Sequence, residues 1–302
     1  MAVSVDEAVS TGPVRDHSPP ARRFGGRGRA VVEVALLAVL AVVMLFPALW
    51  MIETSIKENR DVYAIPAKFF DFQVTLDHFR DVFVASGGGR SALSVSFLNS
   101  VVVAGASTVL ATVLGVPAAW AYSRFAVKAK KDQLFFILST RMLPPIVVAI
   151  PMFLMYRAVG LNDTHLGLIL LYTAFNLSFA VWLMKGFIDE IPKEYEEAAL
   201  VDGYTRMQAF FKIVIPEAAT GIAATAVFCF ITAWNEYAFA LILTNRRAQT
   251  APPFIPSQVG TGLQDWTVIA AGTVLFLLPV AIFTFLLRNH LLRGMSFGAI
   301  RK

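Results

Sequence analysis

Pro192-Lys193-Glu194-Tyr195-Glu196-Glu197-Ala198-Ala199-Leu200-Val201-Asp202-Gly203, continuing as Tyr204-Thr205-Arg206-Met207-Gln208-Ala209-Phe210-Phe211-Lys212-Ile213-Val214-Ile215-Pro216, is a patterned polar stretch in an otherwise greasy chain. Pro192 suits a first helical position, where its missing N–H has no partner to lose, and Glu194, Glu196 and Glu197 put negative charge at the positive end of a helix dipole. The pattern predicts a helix from about Pro192 to Val201, ended at Gly203, the residue most able to take left-handed backbone. Thr205 and Gln208 have the Thr-x-x-Gln spacing of a capping box. A second helix should start there, run through Phe210, Phe211, Ile213 and Val214, and close at Pro216.

The segment from Lys185 to Glu217 has 33 residues, with 4 basic and 7 acidic side chains. A helix pair this short, with Ala198 and Ala199 beside an acidic stripe, has little core of its own. One reading is a docking surface for a partner. The other is an amphipathic helix lying on lipid headgroups, although such helices favour Lys and Arg on their polar face.

Outside this segment the chain declares itself by composition. Its 302 residues are 57% hydrophobic and 16% charged, with mean hydropathy +0.63, against roughly a quarter charged in a soluble domain. The apolar residues bunch into runs near the ~20 that a helix needs to cross a bilayer. Four runs are free of charge: 34–52, 101–121, 166–184 and 266–287. Two more, 134–155 and 218–244, each hold one ionisable residue, Arg141 and Glu236; burying it costs roughly 2.5–3.5 kcal/mol, which the surrounding Phe, Leu, Ile and Val can offset. The expectation is an all-α integral membrane chain of six spans.

Cytoplasmic loops retain Lys and Arg. Of 26 basic residues, 17 fall on the side of both termini and the 185–217 segment, 8 fall on the other side, and Arg141 lies within a span. Both termini should therefore be cytoplasmic. Residues 1–30, with Pro13, Pro19, Pro20 and the cluster Arg22, Arg23, Arg27, Arg29, read as a disordered leader ahead of a six-span domain covering 31–302. The first apolar run continues through Phe46, Trp50 and Met51, unlike a cleaved signal peptide. Outside, residues 53–100 form the largest loop, partly folded, and Ala251-Pro252-Pro253-Phe254-Ile255-Pro256 should be stiff and extended because proline fixes φ and cannot donate a hydrogen bond.

The chemistry-bearing residues are few. One cysteine, Cys229, lies in an apolar run, which leaves no disulfide framework and no thiolate cluster for a metal. The net charge of +5 is scattered, not massed on a nucleic-acid-binding face. His17, His78, His165 and His290 lie outside the spans, without HExxH or Gly-x-Ser-x-Gly, so an intramembrane enzyme lacks its parts. An intramembrane Glu236 should face the bundle interior, a partner or water; with Asn235 it lines a translocation path or subunit interface, or else sits near the span's outer end with Trp234 and Tyr237 as interfacial aromatics. Asn176 is equally ambiguous, and Tyr172 stacks on a sugar or fills space. Arg141, ahead of Leu143-Pro144-Pro145, reads as structural, at a helix break. An ion-coupled secondary transporter could use Glu236 and Arg141, but that class tends to show inverted repeats, and no duplication relates the halves of this chain.

Glu197-Ala198-Ala199, three residues, Gly203, nine residues, then Ile213-Val214-Ile215-Pro216 resembles the EAA loop of the membrane subunits of binding-protein-dependent ABC importers. The one departure is Ile215, where the family usually has Leu. Similar motifs span almost the whole chain: Phe46-Pro47-Ala48-Leu49-Trp50 with Ser55 and Lys57, Asn99-Ser100, Ala121-Tyr122-Ser123-Arg124-Phe125, Trp234-Asn235-Glu236-Tyr237 and Gly294-Met295-Ser296-Phe297-Gly298-Ala299. Together they look like the MalG-type permease subunit of the carbohydrate-uptake group.

The resemblance implies a non-catalytic permease of the cytoplasmic membrane that takes a sugar or polyol from a solute-binding protein and pairs with a MalF-like permease and two ATPase subunits. It implies that Glu197, Ala198, Ala199, Gly203, Ile213 and Pro216 form the loop seated in the ATPase, with Glu197 on a basic group, the alanines allowing close approach and Gly203 the sharp turn. ATP and Mg would be bound by those partners; this chain has no G-x-x-x-x-G-K-[ST]. Tyr172, Asn176, Asn235, Glu236 and Tyr237 are candidates for the substrate path or subunit interface. Pro252, Pro253, Phe254 and Pro256 are either a contact with the binding protein or a rigid surface turn. The tail from Arg293 to Lys302 reaches toward the ATPase pair or is a positive-inside anchor.

Overall fold

The computed structural model describes residues 26–85, 89–257 and 265–296. The fold is helical, as expected, apart from a short antiparallel ribbon, β1 (Val84–Ala85) with β2 (Gly89–Arg90). Contacts divide the chain into two units, residues 1–47 and 48–302. The first contains most of the apolar part of α1 (Gly26–Ser55), whose side chains from 30 to 47 are all exposed. Helix begins at Gly26, so residues 26–30 are not the disordered leader expected; the rest of that leader lies outside the described residues.

The second unit is built on three long helices, α4 (Ala92–Arg124), α7 (His165–Glu190) and α14 (Trp266–Ser296). Ser91 Oγ accepts the Ser94 N–H to start α4, and Thr164 Oγ1 accepts the Gly167 N–H to start α7, each supplying a partner that a helix N-terminus lacks. Both helices outrun the apolar runs that predict them. They meet closely because Gly115 has no side chain: a Cβ there would lie 2.8 Å from Ala180 Cβ. Ala111, Ala180 and Cys229 bury one another at the same junction, where small residues let membrane helices approach.

Two expected spans are broken. Residues 134–155 do not form one helix: α5 (Lys130–Ser139) with a 3-10 turn at Thr140–Met142 meets α6 (Pro145–Ala158) at a bend of 89°. Leu143 and Pro144 each precede a proline, which drives both into extended backbone (ψ 122° and 129°), and Pro145 then begins a new helix. Residues 218–244 divide into α11 (Ala219–Trp234) and α12 (Ala238–Leu243), because the Glu236 carboxylate accepts the N–H groups of Phe239 and Ala240 and so starts a fresh helix. Among the described residues, four helices are long and apolar enough to cross a bilayer, and two bent pairs, 130–142 with 145–158 and 206–217 with 219–234, bring the number to as many as six.

The 185–217 segment folds as α8 (Lys193–Val201), a turn, α9 (Arg206–Ala209), a π segment at Phe210–Val214 and α10 (Ile215–Glu217). Pro192 is the N-cap rather than the first helical residue, so the helix starts one residue later than expected, and Gly203 has φ +88°. Both hydrogen bonds of the Thr205–Gln208 capping box are present. Pro216 does not close the second helix. The chain turns by 74° between Glu217 and Ala219, into α11.

The stretch between the first and second spans carries α2 (Asn59–Val62), α3 (Asp77–Phe83) and the ribbon, partly folded as expected. The proline-rich stretch, by contrast, is not extended: α13 (Ala251–Ser257) is a short helix. Pro252 and Pro253 occupy its first turn, where a missing N–H costs nothing and φ is already helical.

Candidate functional site

The two intramembrane charges and the polar residues of two other helix segments converge on one cavity. It holds about 200 Å³ and is lined by Arg141, Leu143, Pro145, Tyr172, Phe175, Asn176, Thr232, Ala233, Glu236 and Phe239. The breaks build it. The bend at Leu143-Pro144 leaves room beside α7, and the break after Trp234 turns Glu236 back toward α7. Tyr172 donates its hydroxyl to Glu236 Oε2 at 2.7 Å, while the Phe239 and Ala240 N–H groups reach Oε1 and Oε2 at 3.0 and 3.1 Å. Three donors therefore hold the half-buried carboxylate, compensating the water it has lost. Asn176 is buried and donates to the Cys229 carbonyl at 3.0 Å, tying α7 to α11.

Arg141, read from sequence as a structural residue at a helix break rather than a ligand, is half-buried in this lining. Its guanidinium lies 5.5 Å from the centroid of the Phe179 ring, and no carboxylate among the described residues pairs with it. Asn235 and Tyr237 do not join the cavity lining. Both are exposed, and Asn235 donates back to Ile231 of its own helix.

A second constellation sits at the end of α4. Glu196, expected in the exposed acidic stripe, is turned inward at 8% exposure: its Oε2 accepts from Trp120 Nε1 at 2.9 Å and its Oε1 from Arg124 Nε at 2.5 Å. Arg124 donates further to the Ile191 carbonyl at 2.9 Å. Glu197, one residue on, is exposed, as are Glu194, Ala198 and Val201, whereas Ala199 is buried. Ile213 is half-buried and Pro216 exposed. Trp120 packs against Phe210 with ring centroids 4.6 Å apart, so the end of α4 also holds the second half of the loop.

At the opposite end of α4, Asn99 donates to the carbonyls of Arg247 and Gln249 at 3.0 and 2.9 Å, while His165 meets Asn99 Oδ1 at 2.7 Å. Ser100 Oγ accepts the Ala251 N–H, which seats α13. Asp163, at φ +54°, receives the backbone N–H groups of Asn245, Arg246, Arg247 and Ala248. Partial burial would raise its pKa, but these four donors outweigh it and hold the carboxyl below the usual range. Pro253 is buried, Phe254 is half-buried against α3, α4 and α14, and Pro256 is exposed.

Sequence reasoning missed Asp163, Trp120 and the inward role of Glu196. The available signal was spacing: Trp120 and Arg124 stand one helical turn apart at the end of a span, where an unpaired arginine would seek a carboxylate. The tail from Phe297 onward lies outside the described residues.

Comparison with known proteins agrees with these features. The family described as "binding-protein-dependent transport system inner membrane component" matches residues 111–297. A probable ABC transporter permease, y4oR, of Sinorhizobium fredii is 36% identical over 90% of this chain and 96% of its own. The trehalose transport system permease SugB of Mycobacterium tuberculosis is 34% identical over 91% of this chain and 99% of its own. In fold, the chain superimposes on a bacterial ABC transporter that imports the polysaccharide alginate with TM-score 0.73 at 23% identity, covering 88% of this chain and 98% of that one. With its apolar helices, its broken spans and its ordered extramembrane helix pair, this chain belongs to the inner-membrane permease components of binding-protein-dependent ABC importers.

Proposed function

We propose that the chain is one of two permease halves of a carbohydrate importer and that the cavity between Arg141, Tyr172, Asn176 and Glu236 lies on the solute's path. The observation that carries this reading is the mixed character of that cavity. Tyr172, Phe175 and Phe239 offer ring faces for the C–H surfaces of a sugar, while Arg141, Asn176 and Glu236 offer donors and acceptors for hydroxyls. The names of several relatives point the same way, among them the trehalose permease and a sulfoquinovosyl glycerol permease of Agrobacterium fabrum that is 31% identical over 92% of this chain.

In this reading both termini and the 185–217 loop face the cytoplasm, following the distribution of Lys and Arg. The second half is a MalF-like permease. Two ATPase subunits, which bind ATP and Mg, seat α8 through exposed Glu197 and Ala198, with Gly203 shaping the turn and Ile213 and Pro216 the second helix. A solute-binding protein delivers sugar to the opposite face, where Pro256 and the end of α13 are exposed. ATP binding closes the ATPases and shifts the permease pair between inward-facing and outward-facing states, an equilibrium biased by nucleotide and by the loaded binding protein.

The test is Glu236→Gln in the reconstituted importer. Loss of the charge that starts α12 and holds Tyr172 should lower solute uptake by at least tenfold while the subunits still assemble. Unchanged uptake and unchanged basal ATPase activity would remove the cavity from the path.

A further inference from the structure

We infer that Glu196 and Arg124 form a rigid strut that passes movement of α8 into the membrane bundle, with Glu196 acting as a positioning residue one step behind the docking residue Glu197. The inference rests on the reading that α8 seats in an ATPase subunit.

Among the described residues of α8 only Glu196 and Ala199 are buried, and the helix also packs on α9 and the Phe210–Val214 segment of its own loop. The methyl side chain of Ala199 can make only non-directional contacts, which can slide. Glu196 makes directional ones, to Trp120 Nε1 and Arg124 Nε, one turn apart on α4. The far side of Arg124 is fixed as well. Its Nη2 donates to the Ile191 carbonyl just past the end of α7, and its Nη1 donates to Ser123 Oγ, whose hydroxyl in turn donates to Asp189 Oδ1 at 2.5 Å. A push on α8 therefore meets α4 and the end of α7 together, and α4 packs along both α7 and α11, the helices that line the cavity.

The pair is nearly dry, with side-chain exposures of 8% for Arg124 and 11% for Glu196. Apolar residues of similar volume often replace a buried ion pair without loss of stability, so its presence points to geometry. Adjacent glutamates thus divide the work: about 100° of helical rotation sends Glu197 out toward a partner and Glu196 in toward the bundle.

The test uses the assembled importer with its partner subunits, carrying Cys229→Ser and Thr232→Cys as the parent. Thr232 lines the cavity, and a charged, membrane-impermeant maleimide is the probe of its access. In the parent, trapping with ATP and vanadate should change the labelling rate at least fivefold. The double substitution Glu196→Met with Arg124→Met keeps volume and removes the directional link. It should assemble, melt within a few degrees of the parent and hydrolyse ATP, yet show less than a twofold change in labelling. A response equal to the parent's would overturn the strut, and so would failure of the double variant to assemble, since the pair would then serve folding. Glu197→Lys in the same parent separates the two readings. Loss of ATPase subunits from the purified complex supports docking at Glu197, whereas retained subunits with a retained response would sink the docking reading alone.

Discussion

Tyr172 on α7 and Glu236 at the start of α12 are joined by a hydrogen bond of 2.7 Å across the wall of the cavity. The carboxylate that Tyr172 reaches is also the group that ends one helix and begins another. The bond therefore fixes where the fifth membrane segment breaks as well as how the cavity is lined. Tyr172→Phe removes one of three donors and leaves the ring in place. Hydrogen bonds to charged groups contribute about 1.5–3 kcal/mol, so the purified protein should melt several degrees lower. Solute uptake should fall more than assembly does, and an unchanged melting temperature would show that the two remaining donors suffice.

Glu197→Lys reverses an exposed charge on α8. ATP-driven uptake in reconstituted vesicles should fall at least tenfold, with weaker retention of the ATPase subunits on purification. Because Glu197 is exposed, thermal stability of the isolated permease should move by no more than about 0.5 kcal/mol.

Gly115→Ala tests the closest approach in the bundle. The added Cβ would meet Ala180 Cβ at 2.8 Å, and neither helix can yield without disturbing the buried junction with Cys229. Overpacking of this kind costs about 1–3 kcal/mol. Ala180→Gly in the same chain should recover part of the loss, as a double-mutant cycle on melting temperature would register.

Asp163→Asn tests the clamp on residues 245–248. The folded-state pKa of Asp163 is depressed, so the carboxylate's contribution is fully present above its unfolded value of about 3.9 and is lost as pH falls through the lower folded value. The gap in melting temperature between wild type and Asp163→Asn should be constant from neutral pH down to about pH 4 and should shrink below it. A gap that stayed constant to lower pH would show that shape, not charge, seats the loop.

Gly203 has φ +88° at the turn after α8, and no neighbour crowds the position. Any penalty for Gly203→Ala is therefore backbone strain, about 1–2 kcal/mol. Limited proteolysis should cut the 201–206 turn faster in the variant, and Gly203→Val should be worse than Gly203→Ala.

Much of this was written in local chemistry. Thr205 with Gln208 specified a capping box, Gly203 a left-handed turn, and the apolar runs the spans, because each depends on neighbours within a few residues. The proline-rich stretch went the other way. Pro252 and Pro253 permit extended backbone and a helix's first turn alike, and the choice fell to Ser100, 151 residues away, whose hydroxyl accepts the Ala251 N–H.

The sequence by itself determined that the chain is helical, that it lives in a membrane and that the 185–217 segment is an ordered helix pair, since hydropathy, capping and charge act over one or two helical turns. Only the tertiary structure decided which of two adjacent glutamates faces in. It also decided that Arg141 and Glu236 share a cavity, and that Asp163 holds a loop more than 80 residues further along the chain. Those outcomes depend on where α4, α7 and α11 pack, and a periodic pattern of apolar residues says that a helix will bury a face without saying which partner it will find.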